Sequence, residues 1–216
     1  MDSPELVTYY RRRAAEYEQI YAKPERQADL SVLRRVIPHA MRGRRVLEIA
    51  CGTGYWTTLI AREARSVVAV DLAEEPMGLA RAKPYPEGNV AFHGVDAYAL
   101  PSALGSFDGA YAGFWWSHVP RQRMGEFLAS LHARLEPGAK VLLMDNRYVE
   151  GSSTPIAETD ADGNTYQHRR LADGSLNRVL KNFPTEEELR RQLPGARVTL
   201  LEYYWLAEYD APGSRL

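Results

Sequence analysis

The first residues in the chain whose types and spacing could do chemistry are Glu48-Ile49-Ala50-Cys51-Gly52-Thr53-Gly54. They close a short β-rich run and open a helical one. A strand that ends in a glycine turn and leads into a helix points backbone amides and a helix N-terminus at a ligand, and glycine serves where a side chain would block that approach. Gly52 and Gly54 meet that need. The next run, Val67 to Asp71, ends in an acid followed by Leu72, and a carboxylate there can accept both hydroxyls of a ribose. After the third run, Val90 to Val95, the pair Asp96-Ala97 places a second carboxylate where it can accept from an adenine amino group. Each feature alone is ordinary, since glycine turns are often only turns and an aspartate after a strand is often only a helix cap. Together, on three consecutive strand ends, they describe a nucleoside site. The dinucleotide fingerprint asks for a third glycine three residues after the second. Thr57 stands there instead, preceded by Tyr55-Trp56.

The elements that must carry these residues follow from periodicity. Leu6, Tyr10, Ala14, Tyr17 and Tyr21 recur at helical spacing, and so do Leu30, Leu33, Ile37 and Met41. Two N-terminal helices are expected, separated at Lys23-Pro24 because proline disfavours helix in the residue before it. From residue 45 short β-rich runs alternate with helical stretches: Val46 to Ala50, Val67 to Asp71, Val90 to Val95, Phe107 to Gly113 and Lys140 to Asp145. A helix over Arg121 to Leu135 is expected to stop at Pro137-Gly138. This alternation predicts an α/β fold with a doubly wound, mainly parallel, seven-stranded-type sheet. Residues 146 to 165 are polar and turn-rich, and loops of that length are more often functional than connecting. Tyr166 to Leu171 and Leu176 to Asn182 flank Ala172-Asp173-Gly174-Ser175 as a hairpin insertion after the fifth strand. Thr185 to Glu188 reads as a helix start, and Val198 to Tyr209 as one long strand or two.

One domain is expected over residues 1–216: a helical cover (1–42), a ligand-binding core (43–145), and a substrate loop, hairpin and C-terminal strands (146–216). The formal net charge of −1 provides no global field for nucleic acid. The longest apolar runs fall far short of the ~20 residues that span a bilayer, so no membrane attachment is expected. A single cysteine, Cys51, forms no internal disulfide, and the cytoplasm is the expected compartment. The sequence does not fix the oligomeric state.

Val46 to Gly54 resembles the first motif of the class I S-adenosylmethionine-dependent methyltransferases, with Ala50 in place of the commonest first glycine. Val68-Ala69-Val70-Asp71 resembles the second motif, Gly94-Val95-Asp96-Ala97 the adenine-side motif, and Phe107 to Tyr111 the fourth strand. His118-Val119-Pro120 and Leu135-Glu136-Pro137-Gly138 resemble turns of the small-molecule members related to the ubiquinone and menaquinone enzymes. The resemblance covers roughly residues 9 to 145. It implies S-adenosyl-L-methionine as cofactor and S-adenosyl-L-homocysteine as product. Glu48, Ala50, Gly52 and Gly54 would form the cofactor loop, with Asp71 and Leu72 at the ribose, Asp96 and Ala97 at the adenine, and Gly113 and Phe114 passing beside it. By analogy with relatives whose N-terminal segment closes over the cofactor, Tyr17 and Arg26 would approach its methionine end.

Methyl transfer from a sulfonium is a direct displacement, so the protein mainly aligns donor and acceptor, and alignment can supply ~7–11 kcal/mol. A positioned base would add roughly 10²–10⁴-fold. His118 is the candidate, weighed against a role in capping or packing the next turn; His168 on the hairpin is a poorer one. Tyr9, Trp115, Trp116, Arg147 and Tyr148 are the acceptor-side candidates, with core packing as the competing role for the aromatic ones. Asp145-Asn146 resembles a magnesium pair of catechol-type O-methyltransferases, but Gly113-Phe114-Trp115 replaces the aspartate expected after the fourth strand, so no metal is expected. No Asn-Pro-Pro-Tyr or Asp-Pro-Pro-Tyr segment is present. A small-molecule acceptor is therefore expected, with O- or N-methylation favoured over a quinone-pathway C-methylation or a non-catalytic cofactor-binding module.

Overall fold

The computed structural model describes residues 4–171 and 173–213; Ala172, in the expected hairpin turn, and the side chain of Leu6 lie outside the described residues. Five strands of the core come first in the chain: β1 (Arg45–Ile49), β2 (Ser66–Asp71), β3 (Val90–Gly94), β4 (Phe107–Gly113) and β5 (Leu135–Asn146). Three short strands follow, β6 (Glu158–Thr159), β7 (Thr165–Arg170) and β8 (Leu176–Leu180), and then β9 (Arg197–Leu200) and β10 (Tyr204–Asp210). A seven-stranded sheet runs in the order β3-β2-β1-β4-β5-β10-β9, and β6-β7-β8 form a small second sheet. The first five strands pair in parallel, and β10 runs antiparallel to both β5 and β9. The expected fold class is the observed one. Strand order reverses between β1 and β4, the place where such sheets bind ligands beyond their carboxyl ends.

Both faces of the large sheet are covered, and alternation along each strand divides its side chains between two cores. Leu47 and Ile49 of β1 share one core with Trp115, Phe127 and Trp205. Val46 faces the other, with Leu33, Ile37, Trp56 and Tyr111. Among the described residues no helix is long and apolar enough to cross a membrane.

Several elements differ from expectation. The first N-terminal helix is α-helical only in α1 (Pro4–Arg13) and continues as a 3₁₀ segment over Ala14–Ala22. Runs of 3₁₀ this long are uncommon and depend on tertiary contacts. Here Tyr21 stacks on Tyr55 with ring centroids 3.7 Å apart, and Glu18 accepts from Thr53 at 2.7 Å. The expected helix 121–135 is shorter, spanning Met124–His132, and Leu135 already belongs to β5. Pro137-Gly138 thus lies in the irregular start of a strand rather than ending a helix. The hairpin is observed as β7 and β8, joined by the two-residue β6 that periodicity could not reveal. Val198 to Tyr209 proves to be two strands, β9 and β10.

The small sheet is tied to the large one beside the strand ends. Tyr9 of α1 packs with Leu171 and Val179. Next to β8, the Asn182 amide donates to the Ser117 carbonyl at 2.8 Å.

Candidate functional site

Two adjoining cavities open at the carboxyl ends of the parallel strands. The first, about 840 Å³ counted to its open mouth, is walled on one side by the loop after β1 and on another by Gly113 and Phe114 after β4. Its backbone is held in unusual conformations. Among the described residues Ala50 and Phe114 are the non-glycine residues with positive φ, at 53° and 60°, and both line this cavity. Such residues cost of order 1–3 kcal/mol each and cluster where a ligand must be approached closely.

The two loop glycines divide their tasks. Gly52, at φ 55°, has nothing within 4 Å of where a Cβ would sit, so that a side chain there would occupy ligand space. Gly54, at φ 77°, packs outward from the cavity, and a Cβ on it would stand 2.7 Å from Ala80 Cβ and from the Tyr85 hydroxyl.

Asp71 turns back onto the loop it faces. Its Oδ2 accepts from the Gly52 amide and its Oδ1 from the Ala73 amide, both at 2.8 Å. Burial raises its pKa against the pull of these amides. Glu48 is 2% exposed and its Oε2 has no hydrogen-bond partner, and burial pushes its carboxyl up to about 8. A buried carboxyl oxygen left unpaired at a cavity wall is placed to accept from a ligand donor. Burial also raises the Cys51 thiol well above its ordinary range, which suits packing and not nucleophilic attack.

The 3₁₀ segment and the end of α1 contribute the opposite wall. Tyr10, Ala14, Tyr17 and Tyr21 all face the first cavity. The Tyr10 hydroxyl lies 2.7 Å from His118 Nε2, and His118 Nδ1 lies 2.7 Å from the Leu180 carbonyl. A carbonyl only accepts, so Nδ1 carries the proton and Nε2 accepts from Tyr10. Burial lowers the His118 pKa well below its ordinary value, and burial raises the Tyr10 phenol to about 12.

Beneath this pair lies a buried ion pair. Lys181 Nζ is 2.8 Å from Asp145 Oδ1 and 2.6 Å from Ser117 Oγ. Asp145 Oδ2 accepts from the Ser117 amide at 2.9 Å, and its Oδ1 also accepts from the Asn146 amide at 2.7 Å. Burial alone would raise Asp145; the Lys181 charge brings it below the usual carboxylate range. Burial pulls Lys181 down to about 8 against the attraction of Asp145.

The structure brings Tyr17, Glu48, Ala50 and Gly52 together with Asp71 and Leu72 around the first cavity, and Gly113, Phe114, Trp115 and His118 with them. Tyr9 and Arg26 line the second cavity instead. Gly54, Asp96, Ala97, Trp116, Arg147 and Tyr148 line neither cavity. The Asp96 carboxylate accepts from the Tyr98 amide at 2.9 Å and shapes the turn that contains Ala97. Trp116 packs edge-on to Trp205 in the core. Arg147 binds the Leu201 carbonyl and so ties the turn between β9 and β10, while Tyr148 packs on Phe183. His168 borders the second cavity, where its ring pairs with Glu158 at 2.7 Å. Sequence reasoning missed Lys181, Arg13 and Arg169. Strand alternation could have found Lys181, since it shares a face with the fully buried Val179 two residues earlier.

Known proteins agree with this geometry. Residues 46–138 match the family model of the methyltransferase domain. The chain is 40% identical over 80 residues to a magnesium-protoporphyrin O-methyltransferase of Rhodobacter capsulatus, covering 36% of this chain and 35% of that protein. It is 31% identical over 164 residues to a demethylmenaquinone methyltransferase of Clavibacter sepedonicus, covering 76% and 63%. The chain thus spans about a third of the first relative and less than two thirds of the second. A solved DhpI–SAH complex is 28% identical, with a TM-score of 0.78 over 98% of this chain and 97% of that one. Motifs, strand order and relatives converge: residues 46–138 are a methyltransferase domain, and the sheet that carries it has the fold of the class I S-adenosylmethionine-dependent methyltransferases.

Proposed function

We propose that this chain transfers the methyl group of S-adenosylmethionine to a small-molecule acceptor, with oxygen or nitrogen as the favoured atom. The observation that carries the proposal is the convergence of Glu48, Gly52, Asp71 and Phe114, from three strand ends, on one cavity roofed by Tyr17 and Tyr21. The residues fit the cofactor: Gly52 leaves its Cβ space free, and Glu48 Oε2 lacks a donor. Asp71 would hold the ribose, the loop from Glu48 to Gly52 the methionine part, and Leu72 and Phe114 the flanks. Asp96 and Ala97 remain assigned to the adenine side, next to the lining residue Leu72 in the order of strand ends.

When bound, the cofactor supplies an activated methyl group that passes to the acceptor as its carbon–sulfur bond breaks, leaving a neutral thioether. What the chain adds is position and dryness. Tyr10, Tyr17 and Phe114 line both cavities and form the wall across which donor and acceptor meet. His118, neutral and with Nε2 bound to the Tyr10 hydroxyl, would receive a proton through Tyr10, which passes its own proton to Nε2 as it takes one from an acceptor hydroxyl or ammonium. Trp115 would pack beside the reacting groups, and Tyr9 and Arg26 would stand on the acceptor side.

Calorimetry with S-adenosylhomocysteine tests the donor site. Binding is expected, with Asp71→Ala weakening it at least tenfold; unchanged affinity would remove the ribose role. Labelled cofactor with a metabolite extract should yield a methylated product identifiable by mass spectrometry. Binding without any product would favour a non-catalytic cofactor sensor.

A further inference from the structure

The second cavity, about 1190 Å³ counted to its open mouth, has a predominantly cationic lining although the chain as a whole carries a net charge of −1. Arg13, Lys23, Arg26, Arg169, Arg170 and Lys181 line it, against Glu16 as the acid among its described lining residues. Three of these cations are already engaged. Lys181 is matched by Asp145, Lys23 approaches Glu25, and Arg170 reaches the Gly174 carbonyl.

Arg13, Arg169 and Arg26 are placed differently. Among the described residues none of the three has a carboxylate within ion-pair distance. Arg13 donates to the Tyr9 hydroxyl at 3.0 Å and lies against the rings of Tyr9 and Tyr17. Arg169, only partly exposed, donates Nε and Nη2 to Gln167 Oε1 at 3.0 and 2.7 Å. Arg26 is held by Asn146 and Ser152, with its Nε buried and unpartnered. All these partners are neutral. They orient guanidinium groups without matching their charge, and guanidinium groups have fixed forks of donors that suit oxyanions. Lys181 stands close enough to Arg13 and Arg169 for both to disfavour its proton. Partly desolvated cations gathered without counter-charge raise each other's cost, and a bound anion offsets it.

Resting on the methyl-transfer reading above, we infer that the acceptor is a small anion whose charged group, a carboxylate or a tetrahedral oxyanion, is held in the second cavity by Arg13 and Arg169. The wall of Tyr10, Tyr17 and Phe114 lies between that anchor and the donor cavity, so a short molecule gripped by its oxyanion would present its nucleophilic end beside His118. A long neutral quinone has no use for such an anchor. This makes the quinone-pathway alternative the weaker one.

The test uses protein saturated with S-adenosylhomocysteine and titrated by calorimetry with inorganic phosphate and, separately, acetate, each against sodium chloride of equal ionic strength. Saturable binding of at least one is expected, weakened about tenfold or more in Arg169→Gln and in Arg13→Gln. Arg169→Lys keeps the charge but loses the fork, so its binding should fall between that of the parent chain and Arg169→Gln, and affinity for S-adenosylhomocysteine should stay within about twofold in every variant. Tighter phosphate identifies a tetrahedral head group; tighter acetate identifies a carboxylate. If neither ion binds beyond chloride, or if both variants bind as well as the parent chain while S-adenosylhomocysteine still binds, the anionic acceptor is ruled out and the methyltransferase reading stands. If S-adenosylhomocysteine itself fails to bind, the donor-site reading falls and takes the inference with it.

Discussion

The Tyr10 hydroxyl donates to His118 Nε2 at 2.7 Å, across a chain separation of 108 residues. That contact joins the N-terminal cover to the turn after the fourth strand and places a neutral imidazole at the wall shared by both cavities. Because burial holds the His118 pKa well below its ordinary value, the imidazole is already a free base at neutral pH. The pH–rate profile should therefore show no inflection from His118 between about pH 6 and 8. His118→Gln is expected to lower kcat about 10²-fold while S-adenosylhomocysteine affinity holds. A variant as fast as the parent chain would return His118 to a packing role.

Glu48 gives a second pH-dependent prediction, in stability. Its folded pKa, about 8, lies above the ordinary glutamate value of 4.5, so the folded state binds the proton more tightly. Stability from this group is present below about 4.5 and declines as pH rises through about 8. In ligand-free protein, Glu48→Gln should melt on the order of 5 °C higher than the parent chain at pH 9 and close to it at pH 5. Equal differences at both pH values would show that Glu48 is not desolvated as described.

The Lys181–Asp145 pair should behave as a buried ion pair. Lys181→Met leaves Asp145 charged and uncompensated, at a cost of about 3–5 kcal/mol in urea unfolding. Adding Asp145→Asn should recover much of that loss. If the double variant is as unstable as the single one, the lysine acts through packing and not through charge.

The loop glycines should separate by phenotype. Gly54→Ala drives a methyl group into Ala80 and Tyr85, so thermal stability should drop by roughly 1–3 kcal/mol. Gly52→Ala meets no protein atom, and apart from modest strain its main expected effect is at least a tenfold loss of S-adenosylhomocysteine affinity. The reverse pattern would exchange the two roles.

Much of the fold was legible because burial on both faces of a parallel sheet writes continuous apolar runs, and because Gly52, Gly54 and Asp71 sit where strands end. The lining of the first cavity was legible for the same reason: its residues cluster within loops of adjacent strands. That of the second was not. Arg13, Arg169 and Lys181 come from α1, β7 and the residue after β8, and only the docking of the small sheet on α1 assembles them. Arg147 and Tyr148 followed from the polarity of their loop, yet polarity does not say which way a loop turns, and these two fold toward the β9–β10 turn and Phe183. The helix-to-3₁₀ change at Ala14 was hidden because local spacing is nearly the same in both, and the choice is made by Tyr55 and Thr53, far along the chain.

The wall made by Tyr10, Tyr17 and Phe114 is single-layered, and each of its faces belongs to a different cavity. A molecule that stills these rings from one side leaves less freedom to be surrendered when the other side fills. Linkage is reciprocal, so any tightening of acceptor binding by the donor must equal the tightening of donor binding by the acceptor. Spent donor and modified acceptor, no longer pressing on the wall in the same way, would loosen their hold together.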